Sequence, residues 1–138
     1  MTDYDLLIVG GGMVGASLAC ALGGQPLRVA VAEAVPFDAP AQPSYDDRAI
    51  ALAAGTRRIF EGMGLWPALC DGLTAIHHIH VSDRGRFGFA HIDRREQGVE
   101  ALGYVAPARV LGGGIGSRLR ELSTVDVICP ARVESVQP

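Results

Sequence analysis

The stretch Leu6–Leu22, LLIVGGGMVGASLACAL, decides the fold of this chain. An apolar run comes first, three consecutive glycines follow, and the segment after them is rich in small and apolar residues. Such a run is typical of a buried parallel strand, and the segment after the glycines favours a helix. Gly10, Gly12 and Gly15 fit the pattern G-x-G-x-x-G. The pattern alone is weak, because glycine-rich turns occur in many α/β folds.

The context of the glycines makes the motif specific. A second apolar run, Leu27–Ala32, ends at Glu33, which lies 23 positions after Gly10 and completes a βαβ unit. In such a unit the glycines allow a tight turn, close approach of a pyrophosphate and close helix–strand packing. The helix N-terminus offers N–H groups to phosphates, and Glu33 can accept a hydrogen bond from a ribose hydroxyl. The sequence therefore predicts a dinucleotide site, with Met13 and Val14 as further candidate binding residues.

Composition and charge narrow the class of protein. The 138 residues suffice for one domain with a substantial core, and 49% of them are hydrophobic. The net charge of −3 argues against nucleic acid as the main partner. Cys20, Cys70 and Cys129 are far apart, which is typical of reduced thiols in the cytoplasm. The uncharged run Leu6–Leu27 is long enough to span a bilayer, but its six glycines favour a strand, a turn and a helix.

Local patterns predict the remaining elements. Proline-rich Val35–Ser44 is expected to be a loop, and Arg48–Met63 to be helical in its middle part. The other predicted elements are a hairpin of Ala75–Ser82 and Phe87–Ile92, a weak helix over Arg109–Leu122, and strands over Val125–Cys129 and Arg132–Val136.

Two segments carry a resemblance to a known family. They are DYDLLIVGGGMVGASLACAL (Asp3–Leu22) and YDDRAIALAAGTRRIFEGMGLW (Tyr45–Trp66). Together they resemble the flavin-dependent aromatic hydroxylases of ubiquinone biosynthesis, the 2-octaprenyl-6-methoxyphenol hydroxylase (UbiH/VisC-like) group of the p-hydroxybenzoate hydroxylase class. IHVSDRGRFG and LGYVAPARVL are similar to later segments of the group.

The resemblance implies an α/β fold with a Rossmann-like FAD-binding βαβ sheet of the glutathione-reductase/p-hydroxybenzoate hydroxylase type. A β-hairpin would begin the substrate-side sheet. Residues 1–72 would form the FAD-binding βαβ unit and the following helices, and residues 73–100 the hairpin. Residues 101–138 would return to the FAD-binding domain.

The same resemblance implies the roles of individual residues. Gly10, Gly12 and Gly15 would hold the FAD pyrophosphate, and Glu33 the adenosine ribose. Arg48 would sit beside the ribityl-phosphate region with Ala49 alongside, and Arg109 would reach the FAD. The backbone of Val133 would contact the adenine. A planar, permanently charged guanidinium suits a pyrophosphate, although Arg48 and Arg109 could also be solvated charges.

The implied reaction is hydroxylation of an electron-rich aromatic ring. NAD(P)H would reduce FAD, O₂ would react with the reduced flavin, and the cofactor would carry the chemistry, so the sequence identifies no catalytic residue. The implied substrate is a prenylated phenol, and the implied location is the cytoplasm at the periphery of the inner membrane or in a multi-enzyme assembly. The oligomeric state stays open.

The later GADG-type and G-D segments of the family are missing from this chain. We therefore expect an N-terminal fragment that is inactive by itself. Two alternatives remain: an NAD- or FAD-dependent dehydrogenase or oxidase of another class, and a complete small nucleotide-binding module without catalysis. The DDR segment argues against the first alternative.

A second glycine cluster, Gly112–Gly116, raises the question of a second nucleotide. Ser117 stands where the third glycine of the motif should be, and Pro107 interrupts the preceding strand. One nucleotide is therefore expected. The resemblance places a helix here, and because each glycine costs a helix about 1 kcal/mol relative to alanine, we expect a frayed or bent helix start.

Four histidines lie in the predicted hairpin. On a strand His78 and His80 share one face, and His91 on the returning strand is the candidate third ligand for zinc. We interpret the group as a polar sheet face and predict no metal.

Overall fold

The computed structural model describes residues 3–37 and 46–137. Its strands are β1 (Leu6–Val9), β2 (Val29–Ala32), β3 (Ala49–Ala53), β4 (Thr74–Ile76), β5 (His78–Ser82), β6 (Phe89–Asp93), β7 (Gly103–Pro107) and β8 (Val125–Ile128). Its α-helices are α1 (Met13–Leu22), α2 (Ala54–Gly62), α3 (Trp66–Leu69) and α4 (Ala108–Glu121), with a 3₁₀ turn at Cys70–Gly72. Within the described residues no helix is long and apolar enough to cross a bilayer.

The first sheet is parallel and confirms the predicted βαβ unit. Its strand order is β1-β2-β8, with Leu6 opposite Val29 and Val29 opposite Val125. The central strand β2 is buried along its whole length, as a parallel strand covered on both faces should be. Helix α1 connects β1 to β2 and packs against α4, so that the core lies between the sheet and these helices. The predicted loop of residues 35–44 lies largely outside the described residues.

The second sheet is antiparallel and has the order β3-β7-β4. The helix predicted in the middle part of Arg48–Met63 is present at Ala54–Gly62, and the preceding segment Ala49–Ala53 is a strand that was not predicted. Burial alternates along β3, with Ile50 and Leu52 turned towards the core. This period of two is a strand period, and it was hidden in the sequence because the intervening residues are all alanines.

The predicted hairpin exists, but its first strand is divided. The prediction of one strand over Ala75–Ser82 is wrong, because the strand is interrupted at His77. The segments before and after His77 pair with different strands. Strand β4 pairs with β7, whereas β5 pairs with β6, with His80 opposite His91. The predicted strand over Arg132–Val136 is also wrong: residues 131–137 form no strand. There the N–H of Ala131 donates to the carbonyl of Glu33 (2.7 Å), so the chain runs past the end of the first sheet.

Helix α4 is continuous from Ala108 to Glu121, so the expected frayed or bent start is wrong. Its apolar side chains Leu111, Ile115 and Leu119 are buried at helical spacing. Gly114 is buried too, and a Cβ added there would overlap Cδ2 of Leu69, a side chain with no exposed surface. Gly114 therefore allows α3 to lie close against α4, and this packing offsets the cost of Gly114 to the helix.

Gly114→Ala should lower the free energy of unfolding by about 2 kcal/mol, because the new methyl group must push Leu69 out of a filled core. Gly113→Ala is the matched control: Gly113 is exposed in the same helix with nothing within 4 Å of an added Cβ, so it should stabilise by up to about 1 kcal/mol. Urea unfolding of both variants checks this. Equal effects of the two substitutions would contradict the packing role of Gly114.

Candidate nucleotide-binding site

The glycine turn follows β1 and is closed by backbone contacts. Gly10 has a φ of +99°, a conformation that side chains rarely adopt, and its N–H donates to the carbonyl of Ala32 (2.8 Å). A Cβ added at Gly15 would overlap the carbonyl oxygen of Gly10 and lie 3.1 Å from Cγ2 of Ile8. Both glycines are therefore required by the shape of the turn.

The turn leads directly into the N-terminus of α1, which is open. Gly12 occupies the N-cap position with extended backbone, no side chain caps the helix, and its first turn carries no acidic residue. The first N–H groups of a helix lack partners inside the helix, and the helix dipole adds positive potential there. Met13 is half-buried and Val14 is 87% exposed beside them. The five turn residues predicted from the sequence thus lie together at a helix N-terminus suited to a phosphate.

Glu33 lies at the end of β2, next to the glycine turn. Its Oε2 accepts the N–H of Gly11 at 2.6 Å, and its Oε1 accepts the N–H of Val35 at 2.7 Å. A shallow cleft beside it is lined by Val9, Gly10, Glu33, Arg132 and Val133, among others. The structure therefore brings together the residues predicted for the adenosine end.

Arg48 and Arg109 lie side by side at one end of the second sheet. Their neighbours Ala49 and Pro107 are paired in β3 and β7, and the N–H of Ala108 donates to the carbonyl of Arg48 (2.9 Å). Each guanidinium forms an ion pair with a carboxylate through Nε. Arg48 pairs with Asp46 (2.5 Å), and Arg109 pairs with Asp47 (2.5 Å).

These two ion pairs are exposed, with 70% of the Arg48 side chain and 59% of the Arg109 side chain accessible. Exposed pairs contribute little to stability, so a phosphate could compete with the carboxylates at low cost. The sequence analysis did not predict the ion pairs of Asp46 and Asp47 with these arginines. These pairs depend on the register between β3 and β7, which is known only once the chain has folded.

Arg57 forms a second charged cluster, which the sequence did not indicate. Its guanidinium donates to Glu61 (2.8 Å), Glu100 (2.6 Å) and the hydroxyl of Tyr104 (2.6 Å), and it lies over the ring of Trp66. Two hydrogen bonds hold the pKa of Arg57 above its usual range: the larger effect comes from Glu61 and the next from Glu100. The cluster ties α2 and α3 to β7 and to the segment between β6 and β7.

The histidines form two separate cross-strand pairs. His80 contacts His91 through ring nitrogens, and His78 meets Asp93 at 3.0 Å. In the part of the chain that the structure describes, no three metal-ligating side chains come together.

Cys20 lies in α1 against α4, where its thiol donates to the carbonyl of Ile115 (3.8 Å). Burial raises the pKa of Cys20 to about 11. At pH 8 its thiolate fraction is about a hundredfold smaller than that of an ordinary thiol. Iodoacetamide should therefore modify Cys70, which is half-buried, before Cys20 in the folded protein, as mass spectrometry of the peptides can measure. Equal rates would contradict this packing of α1 on α4.

Comparisons with known proteins agree with this geometry. No family model matches the chain. Among solved structures, PqsL of Pseudomonas aeruginosa, a "probable FAD-dependent monooxygenase", is similar with a TM-score of 0.74 and 28% identity over 97% of this chain and 35% of that one. The fold is that of the FAD-dependent monooxygenases, with a Rossmann-like FAD-binding domain.

Two relatives narrow the class. Ubiquinone hydroxylase UbiL of Rhodospirillum rubrum is 36% identical over 134 residues, which are 96% of this chain and 31% of the relative. The 3-demethoxyubiquinol 3-hydroxylase of Escherichia coli is 34% identical over 112 residues, which are 78% of this chain and 28% of the relative. The chain is thus a homologue of the ubiquinone hydroxylases, and it spans about a third of the length of these relatives.

Proposed function

We propose that this chain is the FAD-binding portion of a flavin monooxygenase that hydroxylates the aromatic ring of a ubiquinone precursor, using NAD(P)H and O₂. The observation that supports this most is the glycine turn that enters the uncapped N-terminus of α1, with Glu33 alongside, in a homologue of ubiquinone hydroxylases. The turn fits a dinucleotide, because Gly15 cannot carry a side chain and the first turn of α1 contains no acidic residue.

The residues of the turn would bind the pyrophosphate. Gly10 shapes the turn, Gly12 leaves its backbone open, and Met13 and Val14 lie in the first turn of α1, whose N–H groups face the phosphates. Glu33 would accept a ribose hydroxyl, and the backbone of Val133 would contact the adenine in the same cleft.

Arg48 and Arg109, with Ala49, would lie along the flavin side of the cofactor. A planar guanidinium suits a phosphate group, and each of these two guanidinia meets a carboxylate through Nε. Bound FAD supplies the redox chemistry that takes electrons from NAD(P)H and delivers oxygen from O₂ to the ring. The protein binds the cofactor, orients it towards the substrate and excludes water.

The substrate class and the location belong to the same proposal. The ring would be that of a prenylated phenol, and such a substrate favours peripheral association with a membrane. The hairpin β5–β6, within residues 73–100, would begin the substrate-side sheet, between an FAD-binding unit at 1–72 and a return to that unit at 101–138.

Arg109→Met should weaken FAD binding by the full-length protein about tenfold, because it removes a charge-assisted contact to the cofactor. Arg120→Met is the control, since Arg120 is exposed on the same helix and donates to Ser117. Quenching of flavin fluorescence measures both dissociation constants. An unchanged affinity for FAD in Arg109→Met would mean that Arg109 is a solvated charge and does not contact the cofactor.

The test of the reaction uses the full-length protein with FAD, NADPH or NADH, and a 2-polyprenylphenol under ¹⁸O₂. The proposal predicts substrate-dependent oxidation of the nicotinamide and one ¹⁸O atom in the ring of the product. Oxidation of an alcohol or amine substrate without oxygen incorporation would contradict it.

A further inference from the structure

Both carboxylate oxygens of Glu33 accept hydrogen bonds from backbone. One oxygen binds the N–H of Gly11, in the middle of the three-glycine turn, at 2.6 Å, and the other binds the N–H of Val35 at 2.7 Å. Bonds to a charged acceptor are about twice as strong as those between neutral groups. Glu33 therefore links the glycine turn after β1 to the chain after β2.

The backbone of Glu33 is itself fixed at the end of the sheet. Its N–H donates to the carbonyl of Ile128 (3.0 Å), and its carbonyl accepts the N–H of Ala131 (2.7 Å). On the other side, a Cβ added to Gly11 would lie 2.9 Å from Cζ of Phe37 and 3.0 Å from Cβ of Glu33. The turn is thus packed against the Glu33 side chain as well as hydrogen-bonded to it.

We propose that Glu33 is a positioning residue, which holds the glycine turn in its phosphate-binding shape independently of any contact with ribose. The proposal rests on the proposed binding of FAD and extends it. A run of glycines has many conformations open to it, so an anchored turn loses less entropy when a phosphate binds. A carboxylate has about four acceptor positions, and hydrogen bonds from the described part of the chain occupy two of them, which leaves room for a ribose hydroxyl.

Glu33→Gln separates the two roles. Glutamine keeps the size of the side chain but offers one acceptor oxygen and one NH₂ group to the two N–H donors of Gly11 and Val35. One of the two backbone N–H groups must then face the NH₂ group of the glutamine. This costs at least as much free energy as the loss of one hydrogen bond. Glu134→Gln is the matched control, because it removes the same charge from an exposed side chain near the end of the chain.

The experiment uses the full-length apoprotein and two measurements. Amide hydrogen exchange reports on Gly11 and Val35 without ligand. Competition against FAD then gives the affinities of ADP and of 2′,3′-dideoxy-ADP, which lacks the ribose hydroxyls. In Glu33→Gln we expect faster exchange at one or both amides and about tenfold weaker binding of 2′,3′-dideoxy-ADP, with the binding of ADP weakened at least as much because its ribose contact is also affected. Glu134→Gln should leave both measurements unchanged.

Two results would overturn the proposal. Unchanged exchange at both amides would mean that the carboxylate does not hold the turn. Weaker binding of ADP with unchanged binding of dideoxy-ADP would make Glu33 a ribose acceptor only. A wild-type protein that binds none of the three nucleotides contradicts the proposed function itself, and the wild-type titration reveals this before any variant is compared.

Discussion

Replacing Gly12 by valine should reduce FAD binding by the full-length protein at least a hundredfold while the protein stays folded. Gly12 has extended backbone (φ −64°, ψ −179°), which valine adopts readily, so the fold has no reason to change. The branched side chain would stand where the pyrophosphate must approach the backbone at the start of α1. Flavin fluorescence gives the dissociation constant, and thermal unfolding of the apoprotein checks that the fold is intact.

Gly113→Ala is the control for this experiment, because it adds a side chain to the second glycine cluster, which lies in the interior of helix α4. It should leave FAD affinity unchanged. If Gly12→Val binds FAD normally, or if Gly113→Ala loses binding to the same extent, then the nucleotide is not held by the first turn.

Gly15→Ala should act differently, by destabilising the protein as well as removing FAD. An added Cβ overlaps the backbone carbonyl of Gly10, which cannot move aside as the end of a side chain could. The turn between β1 and α1 must then open, and since α1 packs on β2 and α4 the strain reaches the core. We expect a loss of about 3 kcal/mol in the free energy of unfolding, measured in urea.

Gly55→Ala is the matched control for Gly15→Ala. Gly55 also lies near the start of a helix, and nothing lies within 4 Å of an added Cβ. The control should be neutral or stabilising. Equal stability of Gly15→Ala and wild type would show that the turn is looser than the structure has it.

The local part of the fold could be predicted from the sequence. The strand, glycine turn, helix and second strand follow one another within about 30 residues, and their signals are short-range periodicity and glycine spacing. Glu33 was placed at the turn for the same reason. Its bonds to Gly11 and Val35 could not be foreseen, because a side chain's choice among nearby donors depends on distances that only the folded chain fixes.

The non-local part could not be predicted. Strand β3 was not predicted, because its formation depends on pairing with β7, which lies far along the chain. Helix α4 was expected to fray because propensity counts glycines as a cost, whereas Leu69 packs where a side chain at Gly114 would stand. The pairs Asp46–Arg48 and Asp47–Arg109 likewise depend on where β3 and β7 end.

The stoichiometry of nucleotide in the full-length protein, as purified, tests the central claim most directly. The protein should be yellow, and heat denaturation should release FAD at one molecule per chain, because the first glycine cluster forms a turn before the uncapped start of α1, whereas the second lies within α4. A colourless protein that binds NAD tightly, or one that holds two nucleotides per chain, would contradict the account.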